Sequence, residues 1–236
     1  AIVSYQKNIK VLSVNQSVTY KTSAVDADPK AKDQYHLSLL KINEAQKLAG
    51  KNKVIVAIID TGIDQKHPEL KGLFLPSYNV INPMNQTAPD YHGTHVTGIL
   101  AGKKGNGIGG YGINPNVRIL PIDVFDRDFV TNDYTVAQAI IYAADHGAKV
   151  INMSIGSSFP STVVEEAVEI AINKGVTIVA AQGNGGDDRP QYPASYEGVI
   201  GVGSINKDKK LSTFSTYGAS TDIVAPGEDI YAPIFK

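Results

Sequence analysis

The chain has 236 residues, of which 42% are hydrophobic, and this length suits a single α/β domain, since such domains run to about 200–250 residues. Its formal net charge of -1 excludes the strongly basic surface of a nucleic-acid-binding protein. Cysteine is absent, so the chain has no disulfide framework, and the sequence does not indicate whether the protein works in an oxidising or a reducing compartment. No apolar run approaches the ~20 residues of a membrane span, and residues 1–10 do not form a signal peptide.

From residue 54 onward, strand-like and helix-like segments alternate. The order β-α-β-α predicts a doubly wound, mainly parallel sheet with right-handed crossovers and helices on both faces. Gly147 and Gly175 stand where helix C-caps are expected. Because ligands bind at the carboxyl ends of the strands in such sheets, functional residues are expected directly after each strand. The predicted strands are residues 54–59, 117–125, 149–155, 176–181 and 199–202, and the predicted helices are residues 92–102, 135–147 and 161–175.

The first fifty residues follow a different pattern. Residues 10–20 alternate as a strand does, and the polar residues 22–33 are expected to form a flexible connection. Residues 36–47 predict a short helix that leads into the core.

Asp60 directly follows the first predicted strand, and Thr61 and Gly62 turn the chain away from the sheet. A carboxylate at this edge can orient a neighbouring imidazole. A turn or helix-capping aspartate is the alternative. Asp-Thr-Gly also marks aspartic proteases, which use two carboxylates that share a proton, but this sequence contains only one such motif.

His92 opens the segment His-Gly-Thr-His at the start of a predicted helix. An imidazole that titrates near neutrality suits a general base, and Gly93 would let another backbone approach closely. His95 is interpreted as a packing or surface residue. The helical zinc motif spaces its histidines four apart with a glutamate between them, so the pair does not predict a zinc site.

Asn184 lies between two glycines just past residues 176–181. A side-chain amide at a strand end can donate a hydrogen bond to a developing oxyanion. The alternative is a simple turn asparagine.

Taken in order, these segments resemble the subtilisin family of serine proteases, and the resemblance runs from about residue 28 to residue 233. It implies a three-layer sandwich fold and a serine endopeptidase activity. The matching segments are residues 54–70 around the catalytic aspartate, 92–98 with the catalytic histidine, 150–156 along the substrate cleft, 182–184 at the oxyanion site, 192–194 behind the S1 pocket, and 224–227 before the serine motif.

The resemblance assigns roles to individual residues. Asp60 would hold the imidazolium, His92 would act as base and then acid, and Asn184 would bind the oxyanion. A second group would contact the substrate, by lining S1, pairing with its backbone or shaping the upstream subsites; it comprises Ser154, Ile155, Gly156, Gly183, Gln191 and Tyr134. The nearby acids Asp126, Asp128 and Asp133 could shape the same subsites or form a solvated loop.

The family often binds structural calcium beside the histidine helix. Here Glu69 and Asn106 are the candidate ligands, because carboxylate and amide oxygens suit this cation. Asn106 lies in the glycine-rich loop 102–112, which follows a helix and therefore does not match a phosphate-binding loop.

Residues 8–20 resemble the last strand of the family's inhibitory propeptide, and residues 28–29 and 34–37 resemble the start of the mature enzyme. Residues 1–25 are therefore expected to be a propeptide remnant with its linker, and residues 26–236 a peptidase domain. We expect a disordered or cleaved connection between Tyr20 and Asp28.

The family's Gly-Thr-Ser-Met-Ala-like motif does not occur in this sequence, so the nucleophilic serine is expected outside it and the chain alone is expected to be inactive. Two classes remain. The first is a secreted or cell-surface endopeptidase whose partners are a protein or peptide substrate, its own propeptide and a C-terminal fragment of the same enzyme. The second is an inactive module that binds peptides by strand addition.

Overall fold

The structure is a computed structural model that describes residues 28–50, 52–84 and 87–235, so the strand predicted over residues 10–20 and the proposed propeptide remnant lie outside the described residues. Seven strands form one sheet, in the spatial order β2-β3-β1-β4-β5-β6-β7, and every neighbouring pair is parallel. The predicted doubly wound α/β fold is thereby confirmed. The strands are β1 Ile55–Asp60, β2 Tyr78–Asn79, β3 Arg118–Asp123, β4 Val150–Met153, β5 Thr177–Ala181, β6 Val199–Ile205 and β7 Ile223–Pro226.

The three predicted helices that follow residue 90 are confirmed within two residues at each end. Gly147 and Gly175 have positive φ angles of 83° and 78° just beyond their helices, where a residue without a Cβ atom is favoured. None of the helices in the described ranges is long and apolar enough to cross a membrane. The helices are α1 Tyr35–Leu39, α2 Ile42–Leu48, α3 Tyr91–Ala101, α4 Asp133–Asp145 and α5 Thr162–Asn173, with a 3-10 helix at Ala31–Asp33.

The N-terminal part of the described chain differs from the prediction in two ways. The helix expected over residues 36–47 is split into α1 and α2, because Lys41 adopts a left-handed conformation with φ of 52°. Residues 28–33 do not form a flexible connection, since they include the 3-10 helix and the backbone N–H of Lys30 donates to the carbonyl of Gly109 at 2.7 Å.

The sheet is covered on both faces, which explains why β1 is apolar without interruption up to Asp60. Along β1, Ile59 packs in one cluster with Ile140 of α4, whereas Ile58 packs in the opposite cluster with Ala101 of α3. Successive side chains of a strand point to opposite faces, so a continuous apolar run supplies both cores. The result is the three-layer arrangement of helices, sheet and helices.

The two ends of the described chain meet beside α3. The side-chain amide of Gln34 donates to the carbonyls of Tyr111, at 3.0 Å, and Tyr231, at 3.1 Å. The hydroxyl of Tyr35 donates to the carbonyl of Glu228 at 2.8 Å. On α3, a Cβ atom added to Gly98 would lie 2.5 Å from the ring of Pro233, so the helix and residues 228–233 are in close contact.

Candidate active site

Asp60 and His92 form a direct hydrogen-bonded pair at the carboxyl edge of the sheet. Asp60 ends β1 and is fully buried, while His92 is the second residue of α3. His92 Nδ1 lies 2.6 Å from Asp60 Oδ1, which also accepts the backbone N–H of Thr61 at 2.7 Å. Asp60 Oδ2 is buried and has no hydrogen-bond partner in the described part of the chain. Two residues far apart in the sequence are thus brought together as the sequence analysis expected.

The start of α3 is fixed to the turn that follows β1. Asp90 is the N-cap, and its Oδ1 accepts the backbone N–H of His92 at 2.9 Å and the hydroxyl of Thr61 at 3.0 Å. The hydroxyl of Thr61 in turn accepts the backbone N–H of Gly93 at 2.9 Å. Because a capping side chain satisfies otherwise unpaired N–H groups, this network fixes the first turn of the helix and hence the position of His92.

Glycine is required where the helix touches that turn. A Cβ atom at Gly93 would lie 2.5 Å from the carbonyl oxygen of Thr61, and one at Gly62 would lie 1.6 Å from the carbonyl oxygen of Ala88. The close backbone approach expected at Gly93 is therefore confirmed. It is this approach that allows the short distance between His92 and Asp60.

The surroundings of His92 favour its protonated form. The hydrogen bond to Asp60 raises the pKa of His92, burial opposes this, and the charges of Asp60 and Asp90 raise the pKa further. The net effect is a pKa above the usual histidine value. The side chain is 42% exposed, so the ring also faces the cleft described below. As the pH falls, a base with a raised pKa becomes protonated, and so stops acting as a base, at a correspondingly higher pH.

A second buried carboxylate, Asp123, ends β3 beside Asp60 and was not identified from the sequence. Asp123 is 7% exposed and is the direct register partner of Asp60 across the two parallel strands. Burial, together with the negative charges of Asp60 and Asp90, raises the pKa of Asp123 to about 6 against the backbone hydrogen bond from Phe125. The available signal was an acidic residue within the mainly apolar segment 117–125.

A cleft of about 460 Å³ opens beside His92. Ser154, Ile155 and Gly156 line it as the sequence analysis expected, since they directly follow β4. No serine hydroxyl in the described ranges makes a hydrogen bond to His92. Tyr192 and Pro193, which the resemblance places behind the S1 pocket, also line the cleft. The other apolar or aromatic residues of its wall were not predicted; they include Phe125, Phe129, Val136, Phe159, Val164 and Tyr196.

Four of the predicted substrate and oxyanion residues do not line this cleft: Gly183, Asn184, Gln191 and Tyr134. Tyr134 is 70% exposed on the first turn of α4. Gln191 nevertheless lies between two of the predicted residues, because a Cβ atom at Gly183 would be 2.8 Å from its Cγ and one at Gly156 would be 3.8 Å from its Oε1.

Asn184 is exposed in the loop after β5, three residues beyond the end of the strand. Two backbone hydrogen bonds anchor this loop to residues 214–216: the N–H of Thr216 donates to the carbonyl of Gly183 at 3.0 Å, and the N–H of Gly186 donates to the carbonyl of Phe214 at 2.8 Å. The amide of Asn184 is thereby carried on a fixed backbone at the same edge of the sheet as His92.

The three acids after β3 separate into two groups. Asp133 lines the cleft at the start of α4, and its Oδ2 accepts the hydroxyl of Ser161 at 2.8 Å. Asp126 and Asp128 are exposed and do not line the cleft.

Glu69 contacts the loop 102–112, in which Asn106 lies. Glu69 is buried and its Oε1 accepts the backbone N–H of Gly110 at 3.1 Å. Burial, followed by the charge of Asp28, raises the pKa of Glu69. The Nδ2 atom of Asn106 is buried without a partner in the described residues. The part of the chain that the structure describes has no group of three or more histidine, cysteine or acidic side chains arranged to hold a metal ion, so any cation here would need amide or carbonyl ligands as well.

Comparison with known proteins gives consistent results. The subtilase family profile matches residues 51–234. A thermophilic serine proteinase from Bacillus sp. (strain AK1) is 45% identical over 180 residues, which cover 76% of this chain and 45% of that protein. Thermitase from Thermoactinomyces vulgaris is 38% identical over 202 residues, which cover 84% of this chain and 72% of thermitase. A solved structure of a protease from Pseudoalteromonas arctica superposes with a TM-score of 0.77 at 27% identity, over 86% of this chain and 73% of that one.

The chain therefore spans less than half the length of the Bacillus relative and about seven-tenths of thermitase. The family match nevertheless takes in most of the described residues, including β1, α3 and the cleft. On the evidence of sequence and fold together, the chain belongs to the subtilase family of serine proteases.

Proposed function

We propose that this chain is part of a serine endopeptidase in which Asp60 and His92 are catalytic and the nucleophilic serine comes from a segment outside the given sequence. The observation that carries the proposal is the 2.6 Å contact between His92 Nδ1 and the buried carboxylate of Asp60, with the imidazole beside the open cleft.

In this mechanism Nδ1 of His92 holds its proton toward Asp60, so Nε2 is free to take the proton of the serine hydroxyl as that hydroxyl attacks the scissile carbonyl. Asp60 stays ionised and stabilises the imidazolium. The imidazolium then returns the proton to the leaving amine, and a water molecule releases the acyl group by the reverse sequence of proton transfers. The raised pKa of His92 is consistent with this role, because it reflects stabilisation of the imidazolium by Asp60.

The substrate is expected to lie along residues 154–156. An extended peptide can pair with the backbone that follows β4 as an added strand. Gly183 and Gln191 would bound the S1 pocket, and Asn184 would donate to the oxyanion. Tyr134 would contact the upstream part of the substrate. The apolar wall that includes Phe125, Val136 and Val164 provides room for hydrophobic side chains of the peptide.

The alternative is a non-catalytic module that binds peptides in the same cleft. A binder has no chemical need for a buried carboxylate held against an imidazole, so the Asp60–His92 pair favours the enzyme. Denaturing intact-mass spectrometry after incubation with a fluorophosphonate probe separates the two. We expect a labelled longer chain, or a labelled second polypeptide beside the 25.2 kDa chain.

Labelling should be lost in a His92→Ala variant, since the probe reacts with an activated serine. If the purified full-length protein carries no label at any mass, the endopeptidase proposal fails and peptide binding remains.

We further propose that Glu69 and Asn106 help to hold a structural calcium ion, with Asp28 near them. The donor set fits, because the buried carboxylate of Glu69 lies close to a second negative charge and forms no ion pair with a cation in the described ranges. A bound cation would relieve that repulsion. The carboxylate of Asp28 already approaches the loop, where it accepts the backbone N–H of Gly105 at 2.8 Å.

Removal of calcium with a chelator should lower the melting temperature by about 5–10 °C, since saturation at a hundredfold excess over Kd contributes about 2.7 kcal/mol. Glu69→Gln should lower the melting temperature in calcium and make it insensitive to the chelator. Asp145→Asn, which alters an exposed carboxylate paired with Lys174, serves as the control and should keep the chelator effect. Equal melting curves with and without calcium would remove the metal from the proposal.

Processing and secretion depend on the N-terminal residues 1–25, which lie outside the described residues. We propose that they are the end of an inhibitory propeptide, that residues 26–236 belong to the peptidase domain, and that the enzyme is secreted or held at the cell surface. Sequencing the N-terminus of the mature protein tests this. A start between residues 20 and 28 supports processing, and a full-length gene product without a signal peptide contradicts secretion.

A further inference from the structure

Three polar residues stand side by side at the carboxyl edge of the sheet. In the parallel register Asn79 of β2 is opposite Asp123 of β3, and Asp123 is opposite Asp60 of β1. Side chains at the same level of neighbouring strands project to the same face. The Nδ2 atom of Asn79 lies 3.4 Å from Asp123 Oδ2, and Asp60 holds His92. The Asp60–His92 pair therefore has a buried neighbour that the proposed mechanism does not use.

The charges around Asp123 are predominantly negative. Its Oδ1 accepts the backbone N–H of Phe125 at 3.2 Å, and no cation forms an ion pair with it in the described residues. Asp60 from β1 and Asp90 from the start of α3 act on its charge, and His92 is connected to it through Asp60. Asp126 and Arg127 from the loop after β3 line a second cavity of about 370 Å³ together with Asp90 and Asp123.

We propose that Asp123 is a positioning residue that acts through Asp60 and sets the pH at which His92 loses its proton. The inference rests on the proposed function, in which the Asp60–His92 pair is catalytic. Two carboxylates on adjacent strands repel each other, so their protonation states are coupled. When Asp123 is ionised, a second negative charge beside Asp60 favours the imidazolium of His92. When Asp123 is neutral, Asp60 is the only anion among Asn79, Asp123 and Asp60, and the imidazolium of His92 is stabilised less.

The direction follows from the sign of the charge. Asp123→Asn removes a negative charge and keeps an oxygen that can accept the N–H of Phe125, so the pKa of His92 should fall. We expect a decrease of about half a pH unit or more, measured by NMR titration of the His92 imidazole. Asp123→Glu retains the charge and should preserve the titration. Asp208→Asn, which removes an exposed carboxylate in the turn after β6, should leave it unchanged.

A second measurement does not depend on the folding of an Asp123 variant. Because the negative charge of Asp60 raises the pKa of Asp123, Asp60→Asn should lower that pKa toward its ordinary value, read from the carboxyl carbon chemical shift. An unchanged His92 titration in a folded Asp123→Asn variant, or an unchanged Asp123 titration in Asp60→Asn, would overturn the inference.

The activity of the full-length protein gives a third measurement. The acid limb of the kcat/KM profile should move to lower pH in Asp123→Asn and stay in place in Asp208→Asn. A purely structural role for Asp123 would lower activity at all pH values without moving this limb. The NMR titrations need no nucleophilic serine, so failure of the endopeptidase proposal is distinguishable from failure of the coupling.

Discussion

His92→Ala in the full-length protease should lower kcat for peptide hydrolysis by about 10⁴–10⁶-fold, because the serine then has no base to take its proton and the leaving amine has no acid. The Asp60 carboxylate, fully buried, would also lose its closest partner. The comparison of kcat and KM between wild type and variant, with the same peptide substrate, measures the effect.

His146→Ala is a suitable control for the loss of an imidazole. His146 follows α4, its Nδ1 lies 2.8 Å from the carbonyl oxygen of Tyr142, and it does not line the cleft. Its removal should leave kcat within a factor of about two, as expected for a site that touches no reacting group. Ordinary turnover in His92→Ala would refute the assignment of the Asp60–His92 pair.

Asn184→Ala should lower kcat by about 10²–10³-fold, the magnitude known for a subtilisin oxyanion asparagine, with little change in KM. The amide would act on the developing oxyanion and not on the ground-state carbonyl, so its removal affects the transition state selectively. The loop is anchored on both sides of Asn184 by the hydrogen bonds of Gly183 and Gly186, so a truncated side chain should leave the backbone in place.

Asn206→Ala provides the matched control. Asn206 also follows a strand of the sheet, but its Oδ1 accepts the backbone N–H groups of Asp208 and Lys210 within its own turn. This variant should lose some stability and keep its kcat. If Asn184→Ala raises KM while kcat stays constant, Asn184 binds substrate and has no oxyanion role.

The elements of this fold that could be predicted are those with a strong local signal. The apolar run that ends at Asp60 predicted β1 because a strand buried on both faces has no polar positions, and Gly93 marked a backbone contact. The two edge strands were not predicted as strands. β2 has only two residues, and β7 is largely exposed, so neither has the continuous apolar pattern of a central strand.

Features that depend on register or on several elements could not be read from the sequence. Asp123 is placed beside Asp60 by the pairing of β3 with β1. A lone aspartate in a strand does not reveal that pairing. The apolar wall of the cleft combines Phe125 after β3, Val136 of α4 and Val164 of α5, so no single segment predicts it. The break at Lys41 requires a left-handed residue that is not glycine, which the local pattern disfavours.

The contact between the two ends of the described chain has a kinetic consequence. The hydrogen bond from Gln34 to Tyr231 joins residues 197 positions apart, and closing so long a loop carries a large entropic cost before any contact is gained. Parallel sheets with distant pairings are slow to assemble for the same reason. We therefore expect residues 228–233 to dock late, and they dock on α3, where Nε2 of His95 lies 3.1 Å from the carbonyl oxygen of Ile230. Part of the packing of the helix that carries His92 therefore depends on a contact between distant parts of the sequence, so a substitution that weakens this contact is expected to affect the Asp60–His92 pair indirectly.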